Sequence, residues 1–218
     1  MILIILGVSK VLFISSVSQL SCESYSTSLL YREATDALGW TALHHASFKG
    51  HLDCIKILLE NGASIQCKTN ENQTCLHLAS EKGHTDVVKI LLENGANIQI
   101  KTNDENTCLH LAIKQGHIDV VKILAQNKWL ISEKDKREFF PLGLATKLNH
   151  IEVVNCLQEL GAELEVLNSY LGNTALHIAS ENGHLEIAES LIANGANINS
   201  KSKAGYSQLF FLYFCIYL

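Results

Sequence analysis

One short motif recurs along the chain at a nearly constant spacing. Its copies begin at residues 41, 74, 107, 140 and 174, and they read TALHHA, TCLHLA, TCLHLA, FPLGLA and TALHIA. The first three intervals are 33 residues and the last is 34, so one residue is inserted before the fifth copy. Self-similarity at a fixed period of this length predicts a repeat architecture, in which each copy is one supersecondary unit packed on its neighbours.

Each copy contains two short helical patterns. In the first copy, Thr41 is a suitable N-cap, and the apolar residues Leu43 and Ala46 follow at a spacing that places them on one helical face. Gly50 and the pair Asn61-Gly62 are predicted to end the two helices, because glycine adopts the left-handed conformation at little cost. Helices of two or three turns are marginal alone in water, so we predict that they stack.

The third and fourth copies depart from the pattern. The third has Lys128-Trp129 where the others have Gly-Ala, so we expect the chain to reverse at Asn127 or Lys128, at a higher conformational cost than at glycine. The fourth has Phe140 in place of the threonine and Gly143 in place of the histidine. Two explanations are open for the fourth copy: sequence drift without function, or a specialised contact.

The repeated motif and its 33-residue period resemble the ankyrin-repeat family, over about residues 36–201. The resemblance implies an all-α fold, a solenoid of stacked helix–turn–helix units joined by hairpins or extended loops. We expect the repeat region to span residues 29–208, with repeats at 36–68, 69–101, 102–134, 135–167 and 169–201 and a partial sixth at 202–208.

The two ends of the chain differ from the repeats. Residues 1–28 are an apolar segment followed by a polar linker, and Lys10 interrupts the apolar run. A signal peptide, a membrane anchor, a start-of-chain artefact and a degraded repeat remain open for residues 1–20. Residues 209–218 form an apolar tail that is too short to span a bilayer. We predict a cytoplasmic protein, or a secreted or membrane-anchored one if residues 1–20 act as a signal. The partial repeat suggests a piece of a larger product.

Composition argues against several classes of site. A formal net charge of −5 disfavours a nucleic-acid partner. Of the seven cysteines, Cys75 and Cys108 hold equivalent places in neighbouring copies, about 8–10 Å apart, which is too far for a disulfide. There is no C-x-x-C pair. We therefore predict free thiols.

The ten histidines recur with the repeats, in one set that begins at His44 and another that begins at His51. Neighbouring members of a set are about 8–10 Å apart, whereas zinc ligands lie about 2 Å from the metal. We expect these rings to bond backbone groups between repeats, and we predict no metal and no cofactor. No phosphate-binding loop, zinc-protease motif or nucleophile-elbow motif is present, so we predict that the chain is not an enzyme.

The family resemblance also implies where a partner would bind. In ankyrin repeats the contacts come from the hairpin tips and from exposed positions of each first helix, and aromatic and arginine residues carry much of the binding energy of interfaces. We therefore predict a partner-binding set of Trp40, Phe48, Lys136, Arg137, Phe139, Lys147 and Tyr170.

The predicted function is a monomeric, non-enzymatic scaffold or adaptor that binds another protein through its hairpin tips and concave helix face. Two alternatives stay open. One is a docking or regulatory segment of a larger enzyme or channel, and the other is a secreted or membrane-tethered effector.

Overall fold

A computed structural model describes residues 34–168, 171–203 and 205 of the 218-residue chain. The apolar segment and linker predicted at residues 1–28 and the apolar tail at residues 209–218 lie outside the described residues, as does Tyr170. The chain forms two compact units, residues 1–103 and 104–218.

The regular structure of the described residues is helical, which confirms the predicted all-α class. Unit 1 contains α1 (Ala42–Lys49), α2 (Leu52–Glu60), α3 (Cys75–Lys82) and α4 (Thr85–Glu93). Unit 2 contains α5 (Cys108–Lys114), α6 (Ile118–Leu124), α7 (Lys128–Ser132), α8 (Pro141–Lys147), α9 (Ile151–Glu159), α10 (Ala175–Asn182) and α11 (Leu185–Ala193). An isolated antiparallel bridge joins Asn168 and Asn173.

In unit 1, first helices pack on first helices and second helices on second helices. Helix α1 contacts α2 in its own repeat and α3 in the next, and α4 contacts both α2 and α3. Leu43, Ile55, Leu76 and Leu91 are fully buried between these helices. Burial of each such side chain contributes about 1.5–3 kcal/mol, so neighbouring repeats stabilise one another as predicted for short helices.

Unit 2 repeats the same arrangement. The first helices α5 and α10 both pack on α8, the second helices α6 and α11 both pack on α9, and α7 also contacts α8. Ala112, Ala145 and Ala179 are fully buried at equivalent places of the three first helices. A small side chain at each of these places allows two helices to approach closely.

A threonine and a histidine begin most of the first helices. The His44 Nδ1 atom accepts from the Thr41 backbone N–H at 3.1 Å, so the ring proton is on Nε2. Nε2 therefore donates to the Cys67 carbonyl, 3.1 Å away at the foot of the next hairpin. His110 has the same bonds, to Thr107 N–H at 3.3 Å and to the Phe139 carbonyl at 3.1 Å. His44 thus binds the end of its own repeat, and His110 binds the following repeat, which is the kind of link expected from the sequence.

The fourth repeat has no histidine at this place, and the inserted residue replaces it. The side chain of Asn168 is fully buried against Gly143, where a Cβ atom would overlap its amide. Asn168 Oδ1 accepts from the Phe140 backbone N–H at 2.9 Å, and Nδ2 donates to the Val166 carbonyl at 3.0 Å. Asn168 thus binds the N-cap amide that a histidine binds in the other repeats. The inserted Asn168 therefore takes the structural place of the histidine that the fourth repeat lacks.

The end of the third repeat differs from the expectation. The predicted reversal at Asn127 or Lys128 is wrong, because neither residue is left-handed. Instead, α6 ends at Leu124, and the Asn127 side chain accepts from the Trp129 N–H at 3.0 Å to cap the short helix α7. The physical reason lies in the apolar residues that follow, since Leu130 and Ile131 are buried by this extra turn.

Candidate partner-binding surface

In four repeats, the residue that precedes the first-helix N-cap contacts the residue eight positions later, near the end of the same helix. We call these contacts the tip–helix pairs. They join Trp40 to Phe48, Asn106 to Lys114, Phe139 to Lys147 and Asn173 to Glu181. The second repeat has Gln73 and Glu81 at the same two positions. The two positions are the same in every repeat, but their side chains differ. They are aromatic in the first repeat, include an acid in the second and fifth, and include a lysine in the third and fourth.

The pair in the first repeat is the centre of an aromatic patch on unit 1. The rings of Trp40 and Phe48 meet edge to face with centroids 5.2 Å apart, and Trp40 lies 4.9 Å from the His45 ring. The ammonium group of Lys82 is 4.6 Å from the Phe48 centroid, and that of Lys49 is 5.5 Å away. Both distances are within the range of cation–π attraction. Trp40 and Phe48 are each half-buried.

A carboxylate fixes the hairpin tip that carries Trp40. Asp36 Oδ1 accepts from the Leu38 and Trp40 backbone N–H groups at 2.9 Å each, and Oδ2 lies 3.0 Å from His45 Nε2. Burial raises the pKa of Asp36, but the bonds from Trp40, Leu38 and His45 outweigh it, so the pKa lies below its usual value. The ionised carboxylate therefore holds Trp40 in one position. Leu38 is 63% exposed at this tip.

The fourth-repeat tip of unit 2 has the same construction. Asp135 Oδ1 accepts from the Arg137 and Phe139 backbone N–H groups at 2.9 and 3.0 Å. Lys136 and Arg137 are exposed on this tip, and Lys147 is exposed beside its base. The Lys136 ammonium is 3.7 Å from the Asp104 carboxylate, an exposed pair of the kind that contributes little. The Arg137 guanidinium has no bonded partner within the described part of the chain.

Five of the seven predicted binding residues lie where a partner could reach them: Trp40, Phe48, Lys136, Arg137 and Lys147. Phe139 differs from the expectation, since it is only 7% exposed. The Lys147 ammonium lies 4.6 Å from the centroid of the Phe139 ring, and the Phe139 carbonyl accepts from His110 Nε2. Phe139 therefore supports the tip instead of facing a partner. Tyr170 lies outside the described residues, and its role stays a prediction.

The predicted set of seven binding residues does not include Lys82, Lys114 and Glu181, which lie next to members of the set or in equivalent places. Lys82 faces Phe48, and Lys114 donates to the Asn106 side chain at 2.7 Å. Glu181 accepts from Asn173 at 3.3 Å. The eight-residue spacing of the tip–helix pairs is the sequence signal that would have identified Lys114 and Glu181.

Three further observations concern the thiols, the metal-binding side chains and the helix lengths of the described residues. The cysteines at 54, 67, 75, 108 and 156 are free thiols, and burial raises the pKa of Cys75 and of Cys108 to about 12. In the described ranges, no three or more His, Cys, Asp or Glu side chains are grouped so that they could hold a metal ion. The helices of those ranges are also too short or too polar to cross a membrane.

Comparison with known protein families gives one result. A family model described as ankyrin repeats (3 copies) matches residues 14–102, 65–135, 99–168 and 127–202. Together these segments include every helix of the described residues. A comparison with curated proteins found no match to this sequence.

Proposed function

This chain belongs to the ankyrin-repeat family, whose repeats generally serve as protein–protein interaction modules, and from that premise we propose that it is a non-enzymatic scaffold or adaptor. Its binding surface would consist of the hairpin tips and the ends of the first helices. The partner is another protein, held by residues on more than one repeat.

The observation that carries this proposal is the set of tip–helix pairs. Buried residues are similar from repeat to repeat, for example Leu43, Leu76, Leu109 and Leu176 in the first helices. The paired residues at the tips differ instead, from Trp40–Phe48 to Asn106–Lys114 and Asn173–Glu181. Side chains that vary on a constant backbone are what a surface needs in order to select one partner.

The aromatic patch is the strongest candidate for an energetic centre. Aromatic and arginine side chains dominate measured hot spots, where truncation to alanine costs about 2 kcal/mol or more. Trp40 is held by the turn at Asp36, and Phe48 is held by its helix. A rigid aromatic pair loses little conformational entropy on binding, so more of its contact energy contributes to affinity.

Affinity capture with the full-length chain tests the proposal. The variant Trp40→Ala/Phe48→Ala should lose a partner that the wild-type chain enriches from cell lysate, by about thirtyfold in affinity if the pair acts as a hot spot. The matched control Ile57→Ala/Leu185→Ala removes exposed apolar side chains from second helices, where Ile57 is 45% and Leu185 is 64% exposed. The control should keep the partner. Equal recovery with both variants, or no enriched protein at all, would contradict the proposal.

A further inference from the structure

On the basis of the proposed function, we propose that the third and fourth repeats bind an acidic, extended peptide segment of the partner protein. The binding residues are Lys114, Arg137 and Lys147, with Lys136 at the edge, and we call them the basic patch. The ligand chemistry is a run of aspartate or glutamate side chains, bound by guanidinium and ammonium groups.

Four cations occur on two adjacent first helices and one tip, all within unit 2. Lys114 and Lys147 hold equivalent places at the ends of α5 and α8, which pack against each other. Lys136 and Arg137 lie on the tip that Asp135 fixes, directly before α8. The basic patch is therefore built on two packed helices and a turn with fixed backbone bonds, so its cations are held near one another before a ligand binds.

Two of the four cations, Arg137 and Lys147, keep donors available to a ligand. The Arg137 guanidinium has no bonded partner among the described residues, so its N–H donors are available to bind a carboxylate in a bidentate manner. Within the described ranges, the Lys147 ammonium contacts the face of the Phe139 ring at 4.6 Å and no carboxylate, so its three N–H donors are available. Lys114 donates to the Asn106 side chain at 2.7 Å and adds positive charge beside them.

Acidic groups lie on and around the basic patch. Glu138, next to Arg137 on the same tip, pairs with Lys134 and is therefore neutralised within the tip. Asp104 and Glu105 lie on the third-repeat tip, where Asp104 pairs with Lys136. Glu181 occupies, on α10, the place that Lys147 occupies on α8. An acidic segment that extended onto Glu181 would meet like charge. We therefore expect it to cover the ends of α5 and α8 and to stop before α10.

A protein segment fits this surface better than a nucleic acid does. The chain carries a formal net charge of −5, and a nucleic acid would need a longer row of cations to follow its phosphates. Each exposed ion pair is weak alone. Several carboxylates on one segment act together, however, and opposite charge also speeds the encounter of the two proteins.

Selection of short random peptides displayed on phage, against the full-length chain, tests the inference. We expect the enriched peptides to be rich in Asp and Glu and to bind less tightly as salt concentration rises. The variant Arg137→Glu/Lys147→Glu should bind them about tenfold or more weakly, and it should accept peptides in which the acids are replaced by Lys. The variant Arg137→Gln/Lys147→Gln, which introduces no repulsion, should show a smaller loss in the same direction.

The control Lys122→Glu/Lys128→Glu makes the same charge change on α6 and α7, away from the tips, and should bind the peptides like the wild type. Enriched peptides that are neutral or basic, or equal binding by the patch and control variants, would overturn the inference but leave protein binding intact. Binding of a single-stranded oligonucleotide, without binding of acidic peptides, would also overturn it. A failure to enrich any peptide would count against both the inference and the proposed function.

Discussion

At the scale of single residues, the contact between Gly143 and Asn168 explains the two irregularities of the fourth repeat. The glycine leaves the space of a missing histidine ring, and the inserted asparagine fills it and binds the Phe140 N–H at 2.9 Å. A specialised contact, the second of the two explanations that the sequence leaves open for this repeat, stays a prediction. We expect this contact to stabilise the repeat, whose tip carries the exposed Lys136 and Arg137.

The contact between Gly143 and Asn168 predicts that a substitution which normally stabilises a helix destabilises this one. Gly143→Ala would normally stabilise a helix by about 1 kcal/mol, but here the new methyl group meets the buried Asn168 amide, so we expect destabilisation. Asn168→Ala should cost about 1–3 kcal/mol, because it removes a buried hydrogen-bond acceptor. In the Asn168→Ala background, Gly143→Ala should become stabilising. Urea unfolding of the single and double variants measures this coupling, and simple additivity would refute the account.

The buried ring of His44 predicts how stability depends on pH. Burial lowers the pKa of His44 below 6.5, and its bonds to backbone groups only partly oppose this. The folded chain thus favours the neutral ring more than the unfolded chain does. The contribution of His44 to the free energy of unfolding is fully present above about pH 6.5. It is lost as the pH falls through the lower pKa of the folded state. We expect His44→Gln to reduce the fall in unfolding free energy between neutral and mildly acidic pH. An unchanged pH dependence would disprove this role.

At the scale of elements, the hairpin tip and its first helix act together. Asp36 and Asp135 accept two backbone N–H bonds each, in equivalent turns, and so hold Trp40 and Arg137 in place. Helix α1 ends at the left-handed Gly50, as the sequence predicts, and α10 ends at Gly183 in the same way. These features follow from local rules of capping and turns.

We expect Asp135→Ala to weaken partner binding through the tip while the helices remain folded. The substitution leaves two backbone N–H groups without their acceptor, at a cost of about 1–3 kcal/mol, and frees the tip that carries Arg137. The faster amide hydrogen exchange should be confined to residues 135–139. Asp119→Ala, an exposed acid near the start of α6, is the control. Exchange that rises throughout unit 2 would instead indicate loss of the whole repeat.

The elements also show where sequence reasoning was insufficient. The 33-residue period predicted the paired helices, and Thr41 and Pro141 mark helix starts in the structure as their chemistry suggests. Helix α7 was missed, because its formation depends on burial of Leu130 and Ile131 against other parts of unit 2. Burial of Phe139 was missed for the same reason. Tertiary contacts of this kind leave no periodic signal in the sequence.

At the scale of the whole molecule, membership of the ankyrin-repeat family and the varied tip–helix pairs point to protein binding. Unit 1 offers an aromatic patch around Trp40 and Phe48, and unit 2 offers the basic patch around Arg137. Each has a rigid turn beneath it. Under the proposed function, a partner would present apolar groups to the aromatic patch and acidic groups to the basic patch.

Hydrogen exchange of the full-length chain, with and without its captured partner, tests the central claim most directly. We expect the partner to slow exchange at the tips around residues 36–40 and 135–139 and at the ends of the first helices. The second helices α2, α4, α6, α9 and α11 should exchange as in the free chain. Protection that falls mainly on the second helices, with the tips unchanged, would contradict the claim that the tip–helix pairs form the binding surface.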